Sequence, residues 1–241
     1  MVHKMYKITS FNYINNHKDK TILFLHGWGC SLKYMLPISK LNNTNSLLID
    51  LPGFGNNLPL SNPFTYEKYI DSIISFLNDN NFKIDIVVGH SFGGKLAIGL
   101  ANKLNLSSII LIAPSTFNKK RNLLYYLKIY TYKLFKKIKC LHKYLSFFGS
   151  EDYKVLSPIM KKTMANVINY SVKNHLKNIN IPTLIIQGNK DKITPYYIAK
   201  KTKKHIKDSE IIIIDGNHFA YLNSINLVSN IIESMVNQWF I

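Results

Sequence analysis

Six short apolar runs, separated by stretches with helical periodicity, limit this chain to a small set of folds. The runs are rich in leucine, isoleucine and valine and show little alternation with polar residues. They occupy residues 21–25, 46–49, 84–88, 108–112, 183–187 and 210–214. A strand that is apolar on both faces needs cover on both faces, which helices provide in α/β proteins. The sequence therefore predicts a mostly parallel sheet with helices on each side.

Shorter signals mark the ends of other elements. Two early runs, near residues 6–9 and 11–14, favour an N-terminal hairpin. Thr65 is predicted to start a helix, and Thr194 and Pro195 are predicted to be the cap and first residue of a later helix. With 241 residues, 46% of them hydrophobic, and no internal repeat, the chain is predicted to form one domain with a sizeable core.

The alternation of strands and helices stops within residues 116–181. Apolar residues there recur every three or four positions, which places them on one face of a long helix. They are Leu123, Leu127, Tyr130, Leu134, Ile138, Leu141, Leu145 and Phe148. A second helix is predicted to start with Ser157 as its cap and Pro158 in its first turn. Its buried face is predicted to comprise Ile159, Met164, Val167 and Ile168. We therefore expect a core made of residues 1–115 and 182–241, with a helical cap inserted between them.

The formal net charge of +18 is concentrated in the predicted cap. Residues 116–181 contain 14 Lys or Arg and 2 Asp or Glu, a net charge of +12. Abundant lysine is typical of an AT-rich genome, but the shortage of acidic residues has no such explanation. A basic segment of this kind attracts anionic partners, although a run of charges is also typical of a solvated face.

Cysteine content and the N-terminal sequence indicate the compartment. Cys30 and Cys140 are too few for the disulfide framework of a small secreted protein and do not have metal-ligand spacing, so no metal site is expected. The N-terminus has no apolar stretch typical of a signal peptide, and no run of about eighteen apolar residues predicts a membrane span. We therefore expect a cytoplasmic protein.

The segment 89–94, Gly-His-Ser-Phe-Gly-Gly, lies between a predicted strand and a predicted helix. A serine on such a tight turn is held in strained backbone geometry with its hydroxyl exposed, and glycines on either side avoid collisions with the strand and the helix. The start of the helix also favours developing negative charge. The alternative is a glycine-rich turn whose serine only caps the helix. The strand and helix context favours Ser91 as a nucleophile.

The segment 25–29, Leu-His-Gly-Trp-Gly, follows the first long apolar run. Ligands collect at the carboxyl ends of parallel strands, so this loop is expected beside Ser91. Its glycines allow backbone amides to approach a carbonyl group, and the N–H groups of Trp28 and Phe92 are the predicted oxyanion donors. Both residues are also predicted to contact the substrate. The alternative is a tight turn with a core Trp28, and His26 is interpreted as a hydrogen-bonded support.

A histidine base is expected late in the chain, since nucleophile elbows of this kind have the order serine, acid, histidine. His218 is preferred because it follows the run at residues 210–214 and emerges at the same edge of the sheet as Ser91. His175 and His205 lie in segments where solvated positions are expected.

Two aspartates are candidates for the acid that orients the base. Asp191 lies in the turn after the run at residues 183–187, where its carboxylate can accept the Nδ1 proton of His218. Asp215 is so close to His218 in the sequence that a role in shaping the loop suits it better. Asp191 is therefore the predicted acid.

These motifs, in this order, resemble the α/β-hydrolase superfamily over essentially the whole chain. The resemblance implies an eight-stranded core, no cofactor, and a helical cap after the sixth strand. Residues 25–29 and 50–55 look especially like carboxylesterases that demethylate pimeloyl acyl-carrier-protein esters. His90 and Phe92 stand where those enzymes usually have Trp and Leu, so the resemblance carries over the reaction type and not the substrate.

The predicted function is hydrolysis of a carboxylic ester or thioester through an acyl-enzyme on Ser91. The same triad serves acyltransferases and carbon–carbon bond hydrolases, and the motifs do not separate these. An alternative of another class is a non-catalytic binding protein on a hydrolase scaffold.

The basic cap suggests partners. Residues 119–143 contain nine Lys or Arg and no acidic residue. The hypothesis is that they attract an anionic substrate, either an acyl group on an acidic carrier protein or a lipid at an anionic membrane surface. A solvated helix is the alternative, and no nucleic-acid partner is expected.

Overall fold

The computed structural model of the protein describes residues 6–119 and 155–238. The strands in these residues are β1 (Phe11–Ile14), β2 (Thr21–Leu25), β3 (Asn45–Ile49), β4 (Ile86–His90), β5 (Ser108–Ile112), β6 (Thr183–Gly188) and β7 (Ser209–Ile214). They form one sheet in the order β1-β3-β2-β4-β5-β6-β7. The β1–β3 pair is antiparallel and every other neighbouring pair is parallel.

Seven α-helices lie in the described residues, all of them after β3. They are α1 (Tyr66–Asp79), α2 (Phe92–Ala101), α3 (Pro158–Asn169), α4 (Lys173–Lys177), α5 (Tyr196–Lys203), α6 (Ala220–Asn223) and α7 (Ile225–Gln238). Two single-turn 3-10 helices, Leu32–Tyr34 and Leu36–Ile38, follow β2. Among residues 6–119 and 155–238, no helix is both long enough and apolar enough to span a bilayer.

The sheet is covered on both faces, as the sequence predicts. Leu23 and Leu25 of β2 belong to the apolar cluster on one face, together with residues of α1 and α2. Ile22 and Phe24 belong to the cluster on the other face, with residues of α7. Successive side chains of a strand point to opposite faces, so a strand buried on both must be apolar throughout.

All six predicted apolar runs form strands, but β4 begins two residues later than its run, at Ile86. The Asp85 carboxylate accepts a hydrogen bond from the backbone N–H of Thr21 at 2.9 Å, just before the first paired residue of β4. At its other end β4 continues to His90, which pairs with Ile112 of β5. The strand therefore runs directly into Ser91.

The predicted N-terminal hairpin is wrong. Residues 6–9 form no strand. The backbone N–H groups of Thr9 and Ser10 donate instead to the Asn57 side-chain oxygen, at 2.9 and 3.0 Å. β1 pairs instead with β3. The described residues thus contain seven strands, where the resemblance implies eight.

Two predicted helix starts are confirmed and one is wrong. The Thr65 side chain accepts a hydrogen bond from the Lys68 N–H, and Ser157 does the same for Met160. Thr194, in contrast, does not cap α5, which begins at Tyr196. Its hydroxyl contacts Asp191 and the carbonyl oxygen of Ala113 instead.

The predicted cap is described only in part. The long helix expected between residues 123 and 148 lies outside the described residues. α3 buries Thr163 and Val167, whereas Ile168, predicted to be buried, is 38% exposed. The reason is that Ile168 lines an open cavity beside Ser91.

Candidate active site

Ser91 occupies the sharp turn between β4 and α2. Its φ of 52° and ψ of −108° lie in a region that non-glycine residues rarely adopt. The turn is fixed by backbone hydrogen bonds: the Ser91 N–H donates to the Ile112 carbonyl at 2.9 Å, and its carbonyl accepts from the N–H groups of Lys95 and Ser115. The strained conformation is thus held by β5 on one side and by α2 on the other.

Glycines allow this turn to approach its neighbours. A Cβ on Gly89 would lie 2.4 Å from the carbonyl oxygen of Gly93. A Cβ on Gly93 would lie 2.3 Å from the carbonyl oxygen of Leu25, at the end of β2. Because backbone cannot retreat as a flexible side chain can, only glycine fits at either position.

The loop after β2 lies directly against the serine turn. A Cβ on Gly27 would be 2.9 Å from Nδ1 of His90 and 3.3 Å from Cβ of Ser91. The backbone N–H groups of Trp28 and Phe92 donate to no acceptor among residues 6–119 and 155–238. The two residues predicted to supply the oxyanion donors follow the two residues of this contact in the chain, Trp28 after Gly27 and Phe92 after Ser91.

His26 supports that loop from inside the protein. Its Nδ1 lies 2.7 Å from the Gly27 carbonyl oxygen, and its Nε2 accepts a hydrogen bond from the Leu51 N–H at 2.9 Å. Burial lowers the pKa of His26 to about 4, so the imidazole is neutral at pH 7. The ring joins the loop after β2 to the chain after β3, which is the supporting role expected from the sequence.

His218 and Asp191 meet at the carboxyl ends of β6 and β7. Nδ1 of His218 lies 2.8 Å from Oδ2 of Asp191, and both side chains are buried. Oδ1 of Asp191 accepts the backbone N–H groups of Ile193 and Thr194 at 2.7 and 2.9 Å. Burial alone would raise the pKa of Asp191, but the hydrogen bonds from His218 and Thr194 outweigh it, and the pKa lies below its usual value. The carboxylate therefore stays charged and fixes the His218 proton on Nδ1.

Asp215 lies away from this pair. Its carboxylate accepts hydrogen bonds from Lys190 and Asn189 on the surface, and these bonds lower its pKa. The structure thus brings Asp191 to His218 and leaves Asp215 in the loop.

Two residues around Asp191 were not identified from the sequence. The Thr194 hydroxyl lies 2.8 Å from Oδ2 of Asp191 and 3.2 Å from Nδ1 of His218. The Gln187 amide nitrogen lies 3.2 Å from the same Oδ2. The available signal was the position of Thr194 three residues after an aspartate, which is typical of side-chain-bonded turns.

His90 packs under His218. Its Nε2–H donates to the His218 carbonyl oxygen at 3.0 Å, and the two ring centroids are 4.7 Å apart. Burial, followed by the nearby His218 ring, lowers the pKa of His90 to about 3, so His90 is neutral. The sequence showed His90 as a departure from the related carboxylesterases but did not indicate this contact.

A cavity of about 580 Å³ opens beside Ser91. Its lining residues are Trp28, Ser91, Phe92, Lys95, Ser115, Phe117, Asn118, Lys119, Met164, Val167, Ile168, Ile193 and Thr194. No hydrogen bond joins the Ser91 hydroxyl to His218, both of which the structure describes. Hydrogen bonds of this kind often tighten only when a substrate binds.

The side chains of this region do not form a metal site. Within the part of the chain that the structure describes, no three His, Cys, Asp or Glu side chains come together in a group suited to a metal ion. The described groups close to Ser91 are the backbone N–H groups of its turn and the His218 ring, which packs on His90 and pairs with Asp191.

Comparisons with known proteins identify the family of the chain. Residues 22–228 match the sequence model of the alpha/beta hydrolase family, so the chain belongs to that family. The pimeloyl-[acyl-carrier protein] methyl ester esterase of Wigglesworthia glossinidia brevipalpis is 29% identical over 255 residues, covering 90% of this chain and 94% of that protein. Putative esterase/lipase 2 of Mycoplasma genitalium is 30% identical over 240 residues, covering 87% of each.

A solved structure shows the same fold. A lipase-esterase related protein from Clostridium acetobutylicum superposes with a TM-score of 0.72 at 24% identity, covering 93% of this chain and 98% of that one. Together, the family and the relatives named as esterases support hydrolase activity of the ester-cleaving type.

Proposed function

We propose that the protein is a serine esterase in which Ser91 is the nucleophile, His218 the general base and Asp191 the acid that orients it. The observation that carries this proposal is the buried pair of His218 and Asp191, 2.8 Å apart, at the edge of the sheet where Ser91 sits on its strained turn. The Nδ1–H of His218 donates to the Asp191 carboxylate, so Nε2 is the nitrogen that can receive a proton.

The reaction proceeds through an acyl-enzyme. The Ser91 hydroxyl oxygen attacks the ester carbonyl carbon while Nε2 of His218 takes the hydroxyl proton. The resulting oxyanion accepts hydrogen bonds from the N–H groups of Trp28 and Phe92. His218 then returns the proton to the departing alcohol, and water repeats the cycle to release the acid.

Electrostatics support the assignment of Asp191. Its charge stabilises the imidazolium that forms as Ser91 attacks, and its low pKa keeps that charge in place over the working pH range. The two backbone N–H groups on Oδ1 prevent the carboxylate from turning away from His218.

The cavity supports a small carboxylic ester or thioester as substrate. Its volume of about 580 Å³ is within the range of small-molecule sites. Met164, Val167 and Ile168 of α3 form part of its wall, which supports the proposal that residues 116–181 are a cap over the core. The basic part of that cap, residues 119–143, is proposed to attract an acidic carrier protein or an anionic lipid surface.

Hydrolysis of p-nitrophenyl esters tests the proposal. We expect Ser91→Ala to fold and to lose activity by several orders of magnitude, since the members of a triad act as a unit. Ser75→Ala, on α1 and away from the site, is the matched control and should keep wild-type activity. Turnover by Ser91→Ala at the rate of the control would refute the assignment.

A further inference from the structure

Lys95 is a lysine inside an otherwise apolar helix. Every residue of α2 from Phe92 to Leu100 is buried, and Lys95 is 3% exposed. Lysine is almost never buried to this extent unless it is paired, because removing an ammonium from water is costly. Its presence here therefore calls for a compensating partner.

The described residues supply only part of that compensation. Nζ of Lys95 donates to the Val167 carbonyl oxygen at 2.7 Å, which uses one of three N–H groups. Among residues 6–119 and 155–238, no carboxylate lies within ion-pair distance of it, and its other two N–H groups have no acceptor.

The Val167 bond alone does not explain a charged side chain. Val167 lies near the end of α3, where carbonyls lack helical partners, so a donor there is favourable. A single carbonyl needs only one neutral donor, however, and the ammonium adds a charge and two further donors at the cavity wall.

The cavity gives those donors something to bind. Lys95 lies four residues after Ser91, in the first turn of α2, and both residues line the cavity. Lys95 and Lys119 line the cavity, and no aspartate or glutamate does among the described residues. The described part of the cavity wall thus carries positive charge within a largely apolar surface.

We propose that Lys95 is a specificity determinant that binds a carboxylate at the far end of the acyl group, so that the preferred substrates are half-esters of dicarboxylic acids. This inference rests on the proposed function. His218 protonates the leaving alcohol and does not line the cavity, so the cavity beyond Ser91 holds the acyl group.

The charge of Lys95 is sensitive to pH. Burial lowers the pKa of Lys95 to about 8, so the ammonium is present below that pH and is lost above it. The Tyr66 hydroxyl donates to the Lys95 carbonyl, and Tyr66 stacks on Tyr170, but burial raises the pKa of both phenols. Among the described residues, the other charged group on the cavity wall is Lys119, which is exposed and donates to the Lys192 carbonyl oxygen.

The test compares two p-nitrophenyl esters with the same six-carbon acyl chain: the adipate half-ester, which has a terminal carboxylate, and the neutral hexanoate. The measured quantity is the ratio of their kcat/KM values, in which effects on the shared chemistry cancel. We expect Lys95→Met to lower the adipate-to-hexanoate ratio about tenfold or more, because a hydrogen-bonded charge pair is lost. Lys83→Met, at the opposite end of β4, removes one charge far from the cavity and should leave the ratio unchanged.

The wild-type protein provides a second measurement that does not depend on the folding of a variant. Its ratio should fall as pH rises through about 8, since the carboxylate stays charged while Lys95 loses its proton. A ratio that stays constant between about pH 7 and 9.5, or that is the same in Lys95→Met and wild type, would overturn the proposal.

Binding separates this proposal from the proposed function. Calorimetry on the Ser91→Ala variant measures binding without turnover. It should show monomethyl adipate binding about tenfold more tightly than methyl hexanoate. Adding Lys95→Met should abolish that preference. Absence of the preference in Ser91→Ala would overturn the role of Lys95, whereas failure of Ser91 as nucleophile would show only in the turnover experiment.

Discussion

Asp191 and Asp215 differ in what they contact, and this difference determines the effect of replacing each one. We expect Asp191→Asn to lower kcat by about three to four orders of magnitude, because the amide no longer holds the His218 proton on Nδ1. Asp215→Asn is the matched control, with an expected loss of less than about tenfold, since its partners are surface groups. Steady-state kinetics on one neutral ester checks both, and reversed severities would make Asp215 the acid.

His90 and His26 make stability depend on pH. Burial lowers their pKa values from 6.5 to about 3 and about 4, so the folded protein leaves both neutral while the unfolded chain protonates them below about pH 6.5. The contribution of these two histidines to the free energy of unfolding is therefore fully present above pH 6.5 and is lost as pH falls towards 4. Each histidine contributes a slope of at most about 1.4 kcal/mol per pH unit.

Urea unfolding between about pH 6.5 and 4.5 measures this slope. His90→Asn should reduce the slope by the equivalent of about one proton taken up on unfolding. His17→Asn, at an exposed position, should leave the slope unchanged. A wild-type free energy of unfolding that is flat across this window would contradict the neutral, buried state of both rings.

At the scale of elements, the serine turn depends on contact between β2 and α2. A methyl group on Gly93 would meet the Leu25 carbonyl oxygen at 2.3 Å, and neither backbone can move without disturbing the sheet. We expect Gly93→Ala to lower the free energy of unfolding by about 1–3 kcal/mol and to reduce esterase activity, as the turn shifts away from the oxyanion donors. Unchanged stability and activity in urea unfolding and ester assays would show that the contact is not tight.

The elements that the sequence predicts well are those with a single physical cause. Continuous apolar runs are typical of strands covered on both faces, so the six strands and their parallel arrangement follow from them, although β7 at the sheet edge leaves Ile213 half-exposed. Thr194 was misassigned because a threonine before Pro195 is typical of a helix cap, whereas its hydroxyl is used by Asp191. Which hydrogen-bond partner a threonine hydroxyl takes depends on groups that only the fold brings together.

Other features depend on contacts between segments distant in the sequence. Ile168 fits the buried face of an amphipathic helix, yet that face borders a cavity. The burial of Lys95 depends on α3, more than sixty residues later, although a lysine within an apolar helix was a visible signal. The positions of Ser91, Asp191 and His218 were predictable because each lies in the turn that follows the carboxyl end of a strand.

At the scale of the whole molecule, charge is distributed unevenly. The lysines of residues 119–143 lie largely outside the described residues. Their proposed attraction for anionic substrates can be tested by substitution. Replacing Lys133, Lys136, Lys137 and Lys139 together by Gln should lower kcat/KM for anionic esters and weaken its salt dependence. Attraction between separated charges is screened over about 8 Å at physiological salt, so the effect should fade as salt rises.

Small neutral esters are the control for this four-lysine variant. Their kcat/KM should stay close to the wild-type value, because they gain nothing from long-range attraction. Equal losses on neutral and anionic esters, or no loss on either, would indicate that the basic segment is only a solvated face.

The central claim is that Ser91 is the nucleophile of a serine esterase, and covalent labelling tests it most directly. A fluorophosphonate reacts with a serine only when a neighbouring base activates the hydroxyl. We expect the wild-type protein to gain one adduct, located by mass spectrometry on the peptide that contains Ser91, and Ser91→Ala to gain none. An adduct on another residue, or equal labelling of Ser91→Ala, would contradict the claim.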